Sequence, residues 1–512
     1  MENKEKKMLT TEDLNRTLGK KELYSIAFGH VIGSGVFSLI GIGIGYTGKS
    51  AWIGILLSAV FILLQALPFI VMAGTARFRG GYYSMMGTLW GPKFAGFYIV
   101  IFFASNVSLA MYAISFAQYL QGVLPQVPIV PVAVACLTVF FITNLLGIEG
   151  AAKLEIVMDI VLALAMTCFI VFGLPKVDYS TLFTVDFAPA GPMGIITCAV
   201  LLTWATAGGI DMVNLSAEAK NPTKDLPQVI LVATIAIAIF YALIAMVAGG
   251  VLPVSETANQ PLDLVARAIM PTPVFLFFVI GGALLALTTT LNATFAWITK
   301  PILQACNDGW LPHKIGYIHP KFKTPVIILV GFYIVGLIPI LTGLQISMIA
   351  DTAVVLSNIL FAFICFGTVF IPQRMPELWE VSAFRCSKSK LYLKSILGGV
   401  SCVVMVLVLF FQMSMPQAVI LVIIIITQGY VKAPPDHAYI ISGLRKQPRV
   451  LIGRAGIKIP FFEQLDKLYL GQITVDIKTD EYIPTNDFIN VMVDAVAKVR
   501  VADDGERMKL AM

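Results

Sequence analysis

The sequence predicts an all-α polytopic membrane protein of ~12 transmembrane helices, with a small, partial α/β segment at its C-terminal end. Three observations carry that prediction. Hydrophobic residues make up 58% of the chain and charged residues only 13%, about half the charged share of a soluble domain, and the mean hydropathy is +0.85. Apolar runs near the ~20 residues that a bilayer demands recur along most of the length. Lysine and arginine collect in alternate connections between those runs.

The runs fall at about 24–47, 51–74, 94–123, 127–146, 152–174, 191–215, 228–252, 271–298, 324–343, 349–371, 395–412 and 415–431, numbered spans 1 to 12 here. Connections after even-numbered spans carry Arg77, Lys153, Lys220, Lys300, Arg374 and Lys388 among others, whereas those after odd-numbered spans offer only Lys49, Lys176 and Arg267. With Lys4, Lys6, Lys7, Arg16, Lys20 and Lys21 ahead of span 1, the positive-inside rule expects both termini in the cytoplasm of a cell bounded by this membrane. The organisation that follows is a cytoplasmic tail over 1–23, a helical body over 24–412, a twelfth helix or anchor over 413–431, and a cytoplasmic domain over 432–512.

Composition also removes several function classes. The net charge of +6 sits in short loops where it sets topology, so no nucleic-acid partner is expected. The seven cysteines are scattered through apolar runs and form neither a disulfide framework nor a metal site. The first 21 residues are highly charged, so no cleavable signal peptide is expected. Without a GxxxxGK[ST] loop, an HExxH or a GxSxG, a nucleotide-driven pump or a membrane hydrolase lacks its parts. The chain is expected not to be an enzyme and to need no cofactor beyond H+ or Na+ as a coupling ion.

Two interruptions give the helical body its functional signal. In span 1, Ile32-Gly33-Ser34-Gly35 places two glycines around a serine, which weakens the helix by roughly 1 kcal/mol per glycine where water cannot satisfy the backbone. Alone, such a motif reads equally as a seam for close helix packing. In span 6, Thr206-Ala207-Gly208-Gly209 with Asp211 is a second break. Spans 1 and 6 occupy equivalent places in two five-helix halves, and matched interruptions point to a transporter with inverted repeats and a midplane site.

The downstream motifs make the assignment specific. Ala217-Glu218-Ala219-Lys220-Asn221-Pro222-Thr223-Lys224-Asp225-Leu226-Pro227 resembles a signature of the amino acid–polyamine–organocation permeases. Gly33-Ser34-Gly35-Val36-Phe37, Gly80-Gly81-Tyr82, and Asn307-Asp308-Gly309-Trp310-Leu311-Pro312 with Thr324-Pro325 resemble further motifs of that family, in its order, over residues 22 to about 412. Asn221-Pro222 and Leu226-Pro227 are expected to end span 6 and start span 7, because proline cannot continue a helix.

The resemblance implies a five-plus-five inverted-repeat fold with two extra helices, working by alternating access. It implies that an amino acid's carboxylate lies against the amides at Ile32, Gly33, Ser34 and Gly35, and that its ammonium faces carbonyls around Thr206, Ala207, Gly208 and Gly209. The substrate reading is a neutral amino acid, since no charged residue is placed in the pocket. Polyamines or another organocation are the alternative. His30, Asp159, Asp211 and Thr289 are candidates for ion coupling or gating; at Leu162, where several family members carry a lysine, this sequence has none. Asp351 reads as a helix cap at the outer surface, and Asn106 and Asn292 as residues holding helices together. Beyond the substrate, the expected partners are membrane lipid and, in a homodimer, a second copy; a monomer is equally expected.

From Lys432 the pattern changes to period-2 alternation broken by glycine and proline, which reads as antiparallel β-structure. The segment resembles the start of a flotillin/stomatin-type (SPFH) domain through Val431-Lys432-Ala433-Pro434-Pro435-Asp436, Gly456-Ile457-Lys458-Ile459-Pro460 and Pro484-Thr485-Asn486-Asp487. Met415 to Tyr430 suits the membrane anchor of such a protein as well as a twelfth span. The domain is expected to be incomplete at Met512. A membrane scaffold acting through this segment is the alternative from another class, although two matched breaks exceed what an anchor needs.

Overall fold

The computed structural model describes residues 19–20, 23–24, 27, 33–76, 78, 81–147, 152–184, 186–215, 219–309, 311–312, 314–382, 384–419, 421, 430–432, 437–442, 448–452, 455–457, 464–470, 473–478, 483–484, 486, 490–491 and 494–499. They divide into two compact units, 1–417 and 418–512.

The first unit is helical. In order, its longer helices are α1 (Ser34–Thr47), α2 (Ala51–Thr75), α3 (Tyr82–Trp90), α4 (Pro92–Ser105), α5 (Ser108–Val123), α6 (Ile129–Leu145), α7 (Ala152–Gly173), α8 (Gly191–Thr206) and α9 (Pro222–Gly250). After the short α10 (Val254–Thr257), α11 (Asp263–Ile269) and α12 (Thr272–Phe277) come α13 (Leu285–Asn307), α14 (Val326–Thr342) and α15 (Ile346–Gly367). The short α16 (Ile371–Arg374) and α17 (Pro376–Glu380) then lead to α18 (Lys388–Phe410). Among the described residues, seven stretches are long and apolar enough to cross a membrane, and three shorter apolar helices, Ile129–Leu145, Ile160–Lys176 and Val326–Thr342, accompany them. Most of span 12 lies outside the described residues.

Several expected boundaries move for identifiable reasons. Spans 1 and 2 are joined by one tight turn at Gly48–Ser50. Gly48 has φ +68°, and a β-carbon there would lie 2.2 Å from the Asp186 carbonyl oxygen, so only glycine fits. Span 3 is two helices meeting at Asn106, whose side-chain amide donates to the Phe102 carbonyl at 2.7 Å and takes up an acceptor left free by the break. Leu226-Pro227 is not a helix start: α9 begins at Pro222, and Pro227 lies inside it. Proline at the first helical position costs nothing, and one early in the second turn removes a single bond.

Polar residues inside the unit bond across helices, as expected where no water competes. Gln65 of α2 donates to Asn358 Oδ1 of α15 at 2.6 Å, and Asn144 of α6 donates to Asn292 of α13 at 2.8 Å. The expected joining role of Asn292 is thereby observed. Asp351 is different. It sits one turn inside α15, 4% exposed, and accepts a bond from Tyr46 of α1 at 2.8 Å. It therefore does not cap its helix; burial against α1 replaces the surface position read from the sequence.

In the second unit the strands are β1 (Tyr430–Lys432), β2 (His437–Ser442), β3 (Arg449–Ile452), β4 (Ala455–Ile457), β5 (Gln464–Tyr469), β6 (Ile473–Lys478), β7 (Ile483–Pro484), β8 (Asn490–Val491) and β9 (Asp494–Val499). Among the described residues the pairings are antiparallel: β1 with β4, β2 between β3 and β5, β6 with β9, and β7 with β8. Ile441 and Leu451 form a small apolar core with Tyr439 and Leu465 packed against it.

Candidate functional site

The interruption in span 1 is present, whereas span 6 stays helical at the expected place and changes helix type instead of breaking. Gly33 is extended (φ −152°, ψ −156°), and α1 starts only at Ser34, with no side chain capping it. In span 6 the α-helix ends at Thr206 and tightens into a 3-10 segment over Ala207–Leu215. A 3-10 run of this length is unusual, because its hydrogen bonds are poorer than α-helical ones. Ala207, Gly208 and Gly209, where small side chains crowd least, begin that segment.

At its start, α1 approaches span 6 closely at Gly35. A β-carbon on it would lie 2.8 Å from Ala205 Cα and 2.9 Å from Ala205 Cβ. The packing reading of this glycine is thus observed directly: its missing side chain lets the start of α1 lie against the end of α8. The amide end of α1, carrying about half a positive charge, therefore lies beside the stretch where α8 passes into its 3-10 continuation.

The amides at the break have weak partners. Gly33 N–H donates to the Tyr241 hydroxyl of α9 at 3.4 Å, and Ser34 N–H donates to Thr290 Oγ1 of α13 at 3.4 Å. Both distances exceed the usual 2.7–3.2 Å range. Sequence reasoning does not single out Tyr241, although a lone tyrosine within span 7 is the available signal. Thr289 does not reach the break. Its hydroxyl donates to Leu285 and Ala286 carbonyls of its own helix at 3.0 Å each, and the next residue makes the contact.

At the other end, Thr206 is fully buried and shares a hydrogen bond with Ser58 of α2 at 3.0 Å. Trp204 Nε1 donates to the Tyr112 hydroxyl of α5 at 3.2 Å. A β-carbon on Gly209 would meet Thr234 Oγ1 of α9 at 2.8 Å, so this glycine too serves close approach. One turn along α1, the Phe37 carbonyl accepts from Tyr119 at 3.0 Å, and that same hydroxyl accepts from the Leu262 amide at 3.0 Å. His30 and Ile32 lie outside the described residues, as do the side chains of Asp159 and Asp211. Among the described residues no cluster of metal-ligating side chains occurs.

A family model described as amino acid permease matches residues 18–429. The chain belongs to the amino acid permease family. It is an integral, multi-pass membrane transporter and not an enzyme. It is similar to the branched-chain amino acid permease BcaP of Bacillus subtilis, 27% identical over 402 residues that cover 73% of this chain and 84% of that protein. The serine/threonine exchanger SteT of the same organism is 26% identical over 344 residues, covering 62% of this chain and 74% of the exchanger. Its methylthioribose transporter is 23% identical over 338 residues, 62% and 72% of the two chains. The family match ends at residue 429, so the strands of the second unit lie beyond it.

Proposed function

We propose that this permease is a secondary active transporter of neutral amino acids in the plasma membrane, working by alternating access, with the substrate's backbone held between the two breaks. The observation that carries the reading is the apposition of α1's amide end to the last turn of α8 at Gly35 and Ala205, just before that helix tightens into its 3-10 segment. The substrate carboxylate displaces Tyr241 and Thr290 from the Gly33 and Ser34 amides, gaining charge-assisted bonds at a positive helix end. The ammonium faces the carbonyls at Thr206 to Gly208. The described side chains that meet these breaks, Tyr241, Thr290, Tyr112 and Trp204, are hydroxyl-bearing or aromatic and uncharged. That favours a neutral substrate over a polyamine, whose charges would need carboxylates.

The same reading takes the twelve spans as a five-plus-five inverted repeat with two extra helices and cytoplasmic termini, supported by the motif order and the lysine and arginine distribution. It takes residues 432–512 as an SPFH-type cytoplasmic segment on the sequence resemblance alone. The relatives' names direct the test. Purified protein in liposomes is loaded with unlabelled amino acid and offered radiolabelled leucine, isoleucine, valine, serine, threonine, arginine or spermidine. Counterflow of at least one neutral amino acid, and none of arginine or spermidine, is the expected result. Uptake of spermidine alone would replace this reading with the organocation one.

A further inference from the structure

We propose that Asp351 is the proton-binding residue of the transport cycle, and that protonating it loosens the bond by which α15 holds the far end of the broken helix α1. The proposal rests on the transporter reading above. Its starting point is geometric. Tyr46, second from the end of α1, donates to Asp351 Oδ2 at 2.8 Å. The other oxygen, Oδ1, is buried and has no hydrogen-bond partner among the described residues. An ionised carboxylate offers about four acceptor sites, and here a single hydroxyl serves it inside an apolar helix bundle. Leaving a charged oxygen so poorly solvated is costly, and adding a proton removes the cost.

Among the described residues, no group around Asp351 would hold the charge in place instead. On α1 the facing titratable group is Tyr46, and on α8 it is the Cys198 thiol, which donates to the Ala51 carbonyl at 4.0 Å. Lys49, three residues beyond Tyr46, sends its ammonium to Thr181 Oγ1 at 2.9 Å. The remaining titratable groups on helices packed against α15 are engaged elsewhere. Tyr112 and Tyr119 of α5 bond Trp204 and the Phe37 carbonyl, Cys402 of α18 accepts from Gln65, and Tyr83 of α3 donates to Asp308. Tyr98 of α4 stacks on Phe102, Tyr82 of α3 packs edge-on to Phe69 and Phe361, and at the start of α18 Lys388, Lys390 and Tyr392 are exposed and Lys394 partly so.

A proton suits this site better than sodium. A hard cation requires several oxygen ligands, and the described residues supply the carboxylate and one phenol. The step is a simple association: a proton adds to the carboxylate to give the acid, and no other bond breaks. A hydrogen bond to an ionised acceptor is roughly twice as strong as one to a neutral acceptor. Protonation therefore weakens the Tyr46–Asp351 link without abolishing it. Because α1 carries the substrate amides at its other end, a change in how α15 restrains it reaches the substrate site through one rigid helix.

The test uses the full chain in liposomes with radiolabelled leucine, and the purified protein in infrared titration. Asp351→Asn, isosteric and permanently neutral, is expected to keep leucine counterflow within about twofold of wild type while losing the extra accumulation driven by an inward proton gradient. Tyr46→Phe removes the bond that favours the charged form, so the pH midpoint of gradient-driven uptake is expected to rise by about one unit. In infrared titration, wild type is expected to show a buried carboxylic acid band that titrates and that Asp351→Asn lacks, whichever amino acid is carried. Gradient-driven accumulation undiminished in Asp351→Asn overturns the proposal, as does an unchanged midpoint in Tyr46→Phe or an identical band in the two proteins. If Asp351→Asn does not insert, the Tyr46→Phe midpoint decides. A titrating Asp351 band without leucine counterflow would support the proton site and remove leucine as the substrate.

Discussion

A β-carbon on Gly35 would lie 2.8 Å from the Cα of Ala205, so the two interrupted spans are held together by the absence of a side chain. Because the obstructing atom belongs to the backbone, no rotamer change relieves the contact. Gly35→Ala is expected to insert and fold but to lose about 1–3 kcal/mol of stability through overpacking, and to weaken substrate binding at least tenfold as α1 and α8 are pushed apart. Gly35→Leu is expected to abolish binding. Thermal unfolding in detergent and counterflow in liposomes measure the two effects. Adding Ala205→Gly to Gly35→Ala should restore function only in part, since it removes the 2.9 Å contact and leaves the 2.8 Å one.

Thr289 and Thr290 provide an internal control. Thr290 reaches the Ser34 amide, whereas Thr289 bonds only carbonyls of its own helix. Thr290→Val is expected to change substrate affinity by about 2–10-fold, the value of one hydrogen bond of roughly 0.5–1.5 kcal/mol. Thr289→Val is expected to stay within about twofold of wild type. Equal effects in a competition binding assay would count against the geometry.

The two motifs near α3 and the end of α13 are joined by one bond. Tyr83, 2% exposed, donates to Asp308 Oδ2 at 2.7 Å, while Gln304 donates to the other oxygen at 3.0 Å. Burial pushes the Tyr83 phenol well above its ordinary range, and Asp308 adds to the effect. Tyr83→Phe is expected to cost about 1.5–3 kcal/mol, as for a hydrogen bond to a charged group, read as a lower unfolding midpoint. Counterflow per folded molecule should change less than stability.

Asp263, at the start of α11, predicts a pH dependence of opposite sign to that of an ordinary paired carboxylate. Burial raises it from 3.8 to about 6, with Arg267 opposing the change. The folded state therefore binds this proton more tightly than the unfolded one. The stabilising contribution is complete below about pH 4 and is lost as pH rises through about 6. Asp263→Asn should stabilise the protein at pH 8 by about 1–3 kcal/mol, since each tenfold difference in proton affinity is worth about 1.4 kcal/mol. At pH 4 the substitution should leave the unfolding midpoint unchanged. A stabilisation equal at both pH values would show that the charge is not responsible.

The sequence by itself determined what depends on short range and on the solvent. Long apolar runs have to be helices in a membrane because no water satisfies their backbone. The positions of Gly33-Ser34-Gly35 and Ala207-Gly208-Gly209 marked where one of those helices is interrupted and another tightens, since glycine weakens a helix wherever it falls. Period-2 alternation after Lys432 marked strands for the same local reason. Tertiary structure decided which residues those breaks meet. Nothing within span 1 announces Tyr241, 208 residues away, or selects Thr290 over Thr289, which differ only by the ~100° rotation between successive helix positions. Nor does anything near Asp351 announce Tyr46, 305 residues earlier. A carboxylate one turn into a helix looks like a cap until packing buries it against another helix. Pairings of this kind are set by helix rotation and crossing, which side-chain packing fixes across the whole body and no local window contains.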